Sequence, residues 1–266
     1  KALGADPIIC TAIGKDEQAD LFMRLVNESQ LTTKGIIPFD DRVTTVKTRV
    51  IGNNQQLIRV DHEKNEPISS SAEFALLEKI KEFCKKDDVS AIIFQDYNKG
   101  VLTAELISKT IEFANESDIF TAVDPKKENF FAYQNVTLFK PNLKELIEGT
   151  GLVVDVEEKK SFLQATKELN TKLSPIYTFV TLSEHGVYIN EGSKNHFIPA
   201  FPRQIADVSG AGDTVISVAT LCLVANLEPK VLATLANLAG GLVCEQVGVV
   251  SVDKNDLMAE AKKVLK

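Results

Sequence analysis

The chain has 266 residues, 44% hydrophobic and 25% charged, which suits one large α/β domain or two small ones with a sizeable core. Its formal net charge of −7 argues against a general nucleic-acid binder, which carries a basic surface, but allows an anionic substrate in a local cationic pocket. Cys10, Cys84, Cys222 and Cys244 form no CxxC pair and no apolar run is long enough to span a membrane, so free thiols in a soluble, cytoplasmic chain are expected.

The chain opens on Lys1, and "KALGADPIICTAIG" runs almost at once into strand-like sequence, so an N-terminal part of the domain is expected to precede it. In Thr44–Glu63, Val46, Thr48 and Val50 alternate with Lys47 and Arg49; a polar "GNNQ" then leads to Leu57, Ile58 and Val60. This predicts an antiparallel, partly exposed hairpin, a flap over a site or an interface element. Ser71–Lys86 places Leu76, Ile80 and Phe83 on one side of a helix, with Ser70 and Glu73 spaced as a capping box. Thr103–Asn115 repeats the helical pattern with Leu106, Ile107, Thr110, Ile111 and Ala114. Val89–Gln95, Ile119–Val123, Val136–Phe139 and Tyr177–Leu182 read as short strands buried on both faces. Val187–Ile198 reads as a second hairpin turning at Glu191–Ser193. Strands alternating with helices imply a parallel sheet with helical crossovers, hence one α/β domain over residues 1–266 with a small β appendage at 44–63.

In open α/β sheets ligands bind beyond the carboxyl ends of the strands. Asp96, Asp124, Lys140, Asn142, Thr181 and Ser183 follow the apolar runs, so they converge on one polar rim suited to a phosphorylated ligand. Ordinary solvated strand ends are the competing reading for any one of them. "DVSGAGDTV", Asp207–Val215, opens an apolar helix with Gly210, Ala211 and Gly212. Glycines there let backbone amides approach an anion, and the helix dipole favours negative charge. Asp213 beside that seat is costly unless it takes a proton from an attacking hydroxyl. A plain glycine turn with a dipole-favoured acid is the alternative. No Walker A string, dinucleotide fingerprint or nucleophile elbow occurs, and His62, His185 and His196 lack metal-ligand spacing.

Four blocks in order carry a resemblance. "DVSGAGDT" resembles the DTxGAGD signature of the ribokinase-like (PfkB) sugar kinases, with Val208 where Thr is usual; "KPNLKEL" is similar to their PNxxE motif, "AVDPK" to their DPK segment and "TLSEHGV" to their T-x-x-x-x-G strand end. The hairpin with its "NQQLIRVD" and the segment "QDYNKG" resemble the branch of that family acting on D-glycero-D-manno-heptose 7-phosphate. The resemblance implies a three-layer α/β/α sandwich with a mostly parallel central sheet and a small β lid. It implies transfer of the γ-phosphoryl group of MgATP to the anomeric hydroxyl of the heptose 7-phosphate, in lipopolysaccharide core synthesis. A fructokinase-type enzyme or a non-catalytic nucleotide- or sugar-binding paralogue are the alternatives.

By the same resemblance Asp213 is the base, and the amides of Gly210, Ala211 and Gly212 form the anion hole. Asn142 and Glu145 organise the phosphates and Mg²⁺ with its waters. Thr181, Ser183, Gly186 and Asn237 line the ATP path, and Asp207 with Ser209 holds a monovalent cation such as K⁺. Lys99 and Arg59 are candidates for the sugar's phosphate. Asp96 is expected in the sugar site or capping a helix. The family's opening strand and its GG-x-x-N-x-A sugar block find no counterpart, and no HxGH string of a nucleotidyltransferase occurs, so a kinase alone, or a kinase fragment, is expected. No nucleic-acid or membrane partner is expected; pairing through the lid strands implies a homodimer.

Overall fold

The computed structural model describes residues 1–52, 55–156 and 158–265; the expected polar turn at Asn53 and Asn54 lies outside the described residues. In chain order the elements are β1 (Thr11–Ile13), α1 (Glu17–Glu28), β2 (Ile36–Pro38), β3 (Val46–Gly52), β4 (Gln55–His62), α2 (Ser70–Lys86), β5 (Ala91–Gln95), α3 (Ala104–Glu116) and β6 (Phe120–Asp124). They continue with β7 (Leu138–Phe139), α4 (Leu143–Thr150), α5 (Lys159–Leu173), β8 (Tyr177–Thr181), β9 (Val187–Glu191), β10 (Lys194–Ile198), α6 (Ala211–Val224), α7 (Pro229–Cys244) and α8 (Lys254–Val264). The chain divides into two compact units. One comprises Lys1–Ala5, Val89–Tyr97 and Ile111–Lys266; the other comprises Asp6–Asp88 and Asn98–Thr110.

The larger unit is built on a six-stranded sheet of order β10-β9-β8-β7-β6-β5. β5 to β8 are parallel; β9 and β10 form the antiparallel hairpin read at Val187–Ile198. Strand residues alternate between two layers, as the pleat requires. Ala122, Leu138, Phe179, Val187 and Ile189 enter one core with Val215, Ile216, Ala219, Leu232, Ala236 and Val243 from α6 and α7. Their neighbours point the other way: Phe139 stacks edge-on against Phe130, Tyr188 against Phe162 of α5, and Phe94 against Tyr133. β6, β7 and β8 are buried as expected, whereas β5 is not: Ile93 is 40% exposed. Among the described residues β5 ends the sheet and pairs on one side only.

α6 buries Val215, Ile216, Val218, Ala219, Thr220, Cys222 and Leu223, and so is apolar nearly all round, as suits a helix packed between a sheet and a second helix. Gly240 of α7 lets the two helices close: a methyl there would sit 2.6 Å from Val215 Cγ2. α7 starts with Pro229 in its first turn, where the missing N–H costs nothing.

In the smaller unit β1 and β2 pair in parallel. One cluster gathers Ala12, Ile68, Ala72, Leu76, Leu77 and Leu106, another Ile13, Ala19, Val26 and Ile36. α2 is capped by Ser69, whose hydroxyl accepts from Ala72 N at 3.4 Å, and not by Ser70. Ser69 holds the extended backbone a cap needs, while Ser70 is already helical. Glu73 accepts the Thr103 hydroxyl instead of closing a capping box. β3 and β4 form the expected antiparallel hairpin, Val46 facing His62, with an irregular register at Val50/Ile51. All four cysteines are free; Cys222 and Cys244 are buried, Cys10 and Cys84 half-buried. Burial pushes the Cys10 and Cys222 thiols up to about 11, leaving them inert. Among the described residues no helix is long and apolar enough to cross a membrane.

Candidate active site

The turn into α6 is set by Gly210, whose φ of 79° lies in the left-handed region where a side chain is strained. Thr214 is the first residue to donate back to it, N to Gly210 O at 2.9 Å. Of the amides between, Ala211 N donates outside the helix, to Val208 O at 3.3 Å; those that follow belong to the first turn, which has no intrahelical acceptor for them. A methyl on Gly212 would lie 3.6 Å from Asp124 Oδ2 and 3.9 Å from Lys140 Nζ. The glycine turn therefore rides directly over an ion pair.

That pair comes from neighbouring strand ends. Asp124 closes β6 and Lys140 follows β7; they meet at 3.2 Å with side chains 8% and 3% exposed. Gln95, at the end of β5, donates to Asp124 Oδ2 at 3.1 Å. Three adjacent carboxyl-terminal strand ends thus converge under the amino end of α6, the place such sheets offer to ligands. Asp124 balances the Lys140 charge, so what the place offers a phosphate is the first-turn amides and the positive end of the helix dipole, with a buried ammonium within reach.

Asp213 lies half-buried in the same first turn. Its Oδ1 accepts the Tyr97 hydroxyl at 2.8 Å. Burial, the bond to Asp213 and the charges of Asp213 and Asp124 all push the Tyr97 phenol upward, so it remains a donor across the working pH range.

The "PN..E" residues form a closed local device. Asn142 Oδ1 accepts from Glu145 N and Glu145 Oε2 from Asn142 N, both at 2.8 Å, a complete capping box on α4. Glu145 Oε1 accepts from Lys126. Burial depresses Lys126, but the bond and charge of Glu145, with Asp124 and Asp96, outweigh it and hold the ammonium above its usual range. Glu145 is thereby fixed and neutralised, and the fit to a hydrated Mg²⁺ is through water: Mg²⁺ keeps most of its waters and takes one or two carboxylates with the substrate phosphates.

Asp96 is not among the helix caps described. α3 starts at Ala104 and its first-turn amide, Leu106 N, goes to the Thr103 hydroxyl. Asp96 is 1% exposed and accepts from Tyr133 Oη at 2.8 Å and Asn129 Nδ2 at 3.3 Å. Thr181 ends β8, bridged to Asn142. Ser183 and Gly186 bound a short 3-10 turn; at Gly186 a methyl would fall 2.1 Å from Ile198 O, so only glycine fits. Asn237 donates to Pro199 O at 2.9 Å, anchoring the segment that leads to the glycine turn. Asp207 folds the same segment: Oδ1 accepts from Ser209 N at 2.9 Å and Oδ2 from Gly248 N at 3.0 Å. Those bonds hold its carboxyl below the ordinary range.

Lys99 and Arg59 belong to the smaller unit and are both paired. Lys99 Nζ donates to Glu63 Oε1 at 2.6 Å and Asn65 Oδ1 at 3.1 Å, and Arg59 forks onto Asp61 with two bonds of 2.8 Å. Beneath them Arg42, 7% exposed, donates to the carbonyls of Glu66, Lys64 and Lys99. It ties the base of the hairpin to the Lys99 loop.

The sequence gives no role to Tyr97 or Lys126 and sets Asp124 and Lys140 on the polar rim suited to a phosphorylated ligand without pairing them; the strand order makes them an ion pair. Among the described residues no cluster of three or more His, Cys, Asp or Glu could hold a metal alone. A cavity of about 460 Å³ between α5 and the β9–β10 hairpin, lined by Asn170, Tyr188, Asn190 and Asn195 among others, includes none of the expected site residues. Its amides satisfy one another: Asn170 donates to Asn190 and Asn190 to Asn195, which makes it a stitched hairpin.

Residues 1–255 match the pfkB family of carbohydrate kinases. The bifunctional protein HldE of Sulfurimonas denitrificans is 33% identical over 256 residues, covering 96% of this chain and 53% of that protein. The chain thus spans about half the length of the curated relatives it matches. Among solved structures, phosphofructokinase-2 from Escherichia coli in complex with potassium superposes with a TM-score of 0.82 at 16% identity, over 100% of this chain and 84% of that one. Arabidopsis thaliana ribokinase complexed with ribose and ATP gives 0.76 at 16% identity, over 98% and 83%. The likeness to these structures bears out the ribokinase-like α/β/α sandwich with its small β lid. By its match over nearly the whole sequence, with the glycine turn and acid in place, this chain belongs to the pfkB family of carbohydrate kinases, which are ATP-dependent phosphotransferases.

Proposed function

We propose that the protein transfers the γ-phosphoryl group of ATP to the anomeric hydroxyl of D-glycero-D-manno-heptose 7-phosphate, giving the 1,7-bisphosphate, in the cytoplasm where ATP is supplied. The observation that carries the chemistry is the stacking of the Gly210–Asp213 turn on the buried Asp124–Lys140 pair. It sets the Asp213 carboxylate beside an amide-lined helix start, with the Lys140 ammonium, paired to Asp124, beneath it. The sugar specificity rests on "NQQLIRVD" and "QDYNKG" and on the relatives named HldE.

In the reaction the sugar O1–H bond breaks and its proton passes to Asp213. An O1–Pγ bond forms as the Pγ–O bond to the β-phosphate breaks, and ADP leaves. The amides of Gly210, Ala211 and Gly212, with Lys140, stabilise the charge gathering on the transferred group. Asn142 and Glu145 present the Mg²⁺ side of the site, and Thr181, Ser183, Gly186 and Asn237 flank the nucleotide. Bound Mg²⁺ supplies charge neutralisation on the phosphates. Asp207 and Ser209 shape a loop suited to K⁺. On the sugar side, the proposal gives the 7-phosphate to Lys99 and Arg59, released from Glu63 and Asp61, with Asp96 backing the sugar site.

ADP release with heptose 7-phosphate, fructose, fructose 6-phosphate and ribose tests this. Turnover confined to the heptose phosphate is expected; turnover on fructose or fructose 6-phosphate would move the protein to the fructokinase-type alternative, and ATP binding without turnover to a binding paralogue.

The hairpin supports a homodimer. Val50 faces Ile58 across the ribbon and Val60 faces Thr48, with Val50, Ile58 and Val60 45%, 53% and 54% exposed. Exposed aliphatic side chains on a two-stranded ribbon invite pairing with a second copy. Sedimentation at micromolar concentration should give a dimer, and Ile58→Asp a monomer; a wild-type monomer contradicts the proposal.

A further inference from the structure

Tyr97 has no part in the chemistry above, yet it makes the one side-chain bond to Asp213 described for this site: hydroxyl to Oδ1, 2.8 Å, across 116 residues of sequence. A base that must accept a proton from an incoming hydroxyl already carries a hydroxyl in that place. We propose that Tyr97 guards the base against water, occupying the hydrogen-bonding position on Asp213 that a water would otherwise take, and that the sugar's acceptor hydroxyl displaces it. The inference rests on the kinase reading of Asp213.

The physical case has three parts. First, a phosphotransferase must discriminate a sugar hydroxyl from water, which is far more abundant and chemically similar, and any water held by the base beside a bound γ-phosphoryl group is set for hydrolysis. Second, the phenol competes well for the carboxylate, because a hydrogen bond to a charged acceptor is about twice as strong as a neutral one. Its hydroxyl remains protonated, since burial and the neighbouring charges of Asp213 and Asp124 oppose its ionisation. Third, Tyr97 can leave. It is 52% exposed, two residues beyond the end of β5, so a rotamer change frees Oδ1 without disturbing the core. A sugar hydroxyl anchored by the rest of its substrate pays for that displacement with contacts a lone water lacks.

The test measures ADP and inorganic phosphate release without sugar, and transfer to sugar, for wild type, Tyr97→Phe, Asp213→Asn and the double variant. Phe keeps the ring and removes only the hydroxyl, so folding is preserved and is checked by thermal melting. In Tyr97→Phe, sugar-independent hydrolysis should rise roughly tenfold or more, the competitive weight of a hydrogen bond to a charged group. The rise should vanish in the double variant, because the new water uses Asp213. Hydrolysis unchanged in Tyr97→Phe while transfer falls would make Tyr97 an orienting group and overturn the inference. A rise that persists in the double variant would also overturn it, since the water would then be activated elsewhere. Wild-type protein that transfers to no sugar at all removes the kinase reading and this inference with it; transfer with unchanged hydrolysis removes the inference alone.

Discussion

Gly212→Ala separates the catalytic reading of the glycine turn from a purely structural one, because stability and turnover should move in opposite directions. Gly212 lies within α6 and does not have positive φ. A methyl there meets only Asp124 Oδ2 at 3.6 Å and Lys140 Nζ at 3.9 Å, ordinary van der Waals distances. Replacing a helical glycine by alanine gains about 0.5–1 kcal/mol, the smaller figure applying to a first turn. At about 2–4 °C per kcal/mol for a domain of this size, Tm should hold or rise by roughly 1–2 °C. The same methyl sits over the ion pair, where the transferred phosphoryl group would bear on the first-turn amides. Losing one such contact costs about 3–4 kcal/mol of transition-state stabilisation, or 10²–10³ in kcat. Gly210→Ala provides the contrast. Its φ of 79° and a methyl 3.1 Å from Val249 Cγ1 impose strain, so Tm should fall by several degrees, with about 1–2 kcal/mol lost. The assays are differential scanning fluorimetry and coupled ADP release. A Gly212→Ala protein with unchanged Tm and wild-type kcat would refute the placing of the phosphoryl group over this turn.

Two further predictions concern the groups around it. Lys140→Met leaves the buried Asp124 with Gln95 as its remaining described side-chain hydrogen-bond partner and only the charge of Lys126 nearby, which should cost about 3–5 kcal/mol and lower Tm by roughly 10 °C; Asp124→Asn added to it should recover part of the loss, and a double variant no more stable than Lys140→Met would show the pair to be uncoupled. The Asp207 carboxyl is held low by its bonds to Ser209 and Gly248, so its contribution is complete above the ordinary carboxylate range and lost as pH falls through the depressed value. The Tm gap between wild type and Asp207→Ala should therefore be open at pH 7 and close as pH drops below the ordinary carboxylate range; a gap constant with pH would contradict that.

What the sequence made legible was local. The left-handed turn at Gly210 follows from two glycines and an acid ahead of an apolar run, and the hairpins follow from alternation around polar turns. What it could not show depends on strand order. Asp124 and Lys140 are separated by a helical turn and a strand, and only the parallel pairing of β6 with β7 sets them side by side. Tyr97 and Asp213 meet because β5 and β6 both lie against α6, which no spacing reveals. The serine run before α2 misplaced a cap by one residue, since three consecutive serines offer equivalent side chains and only backbone geometry chooses among them. Asn142 and Glu145 carry the opposite lesson. The resemblance assigns them to phosphates and Mg²⁺, yet their spacing is also that of a capping box, which the structure shows closed. The family pattern and the helix start need the same residues.

The central claim is that Asp213 takes the proton from the sugar hydroxyl. Its most direct test compares wild type with Asp213→Asn for ATP affinity by calorimetry and for transfer to heptose 7-phosphate by ³¹P NMR of the product. The account predicts unchanged ATP affinity, a new anomeric phosphate signal from wild type, and transfer lowered by about 10²–10⁴ in the variant. A variant that forms the same product at the wild-type rate would contradict it.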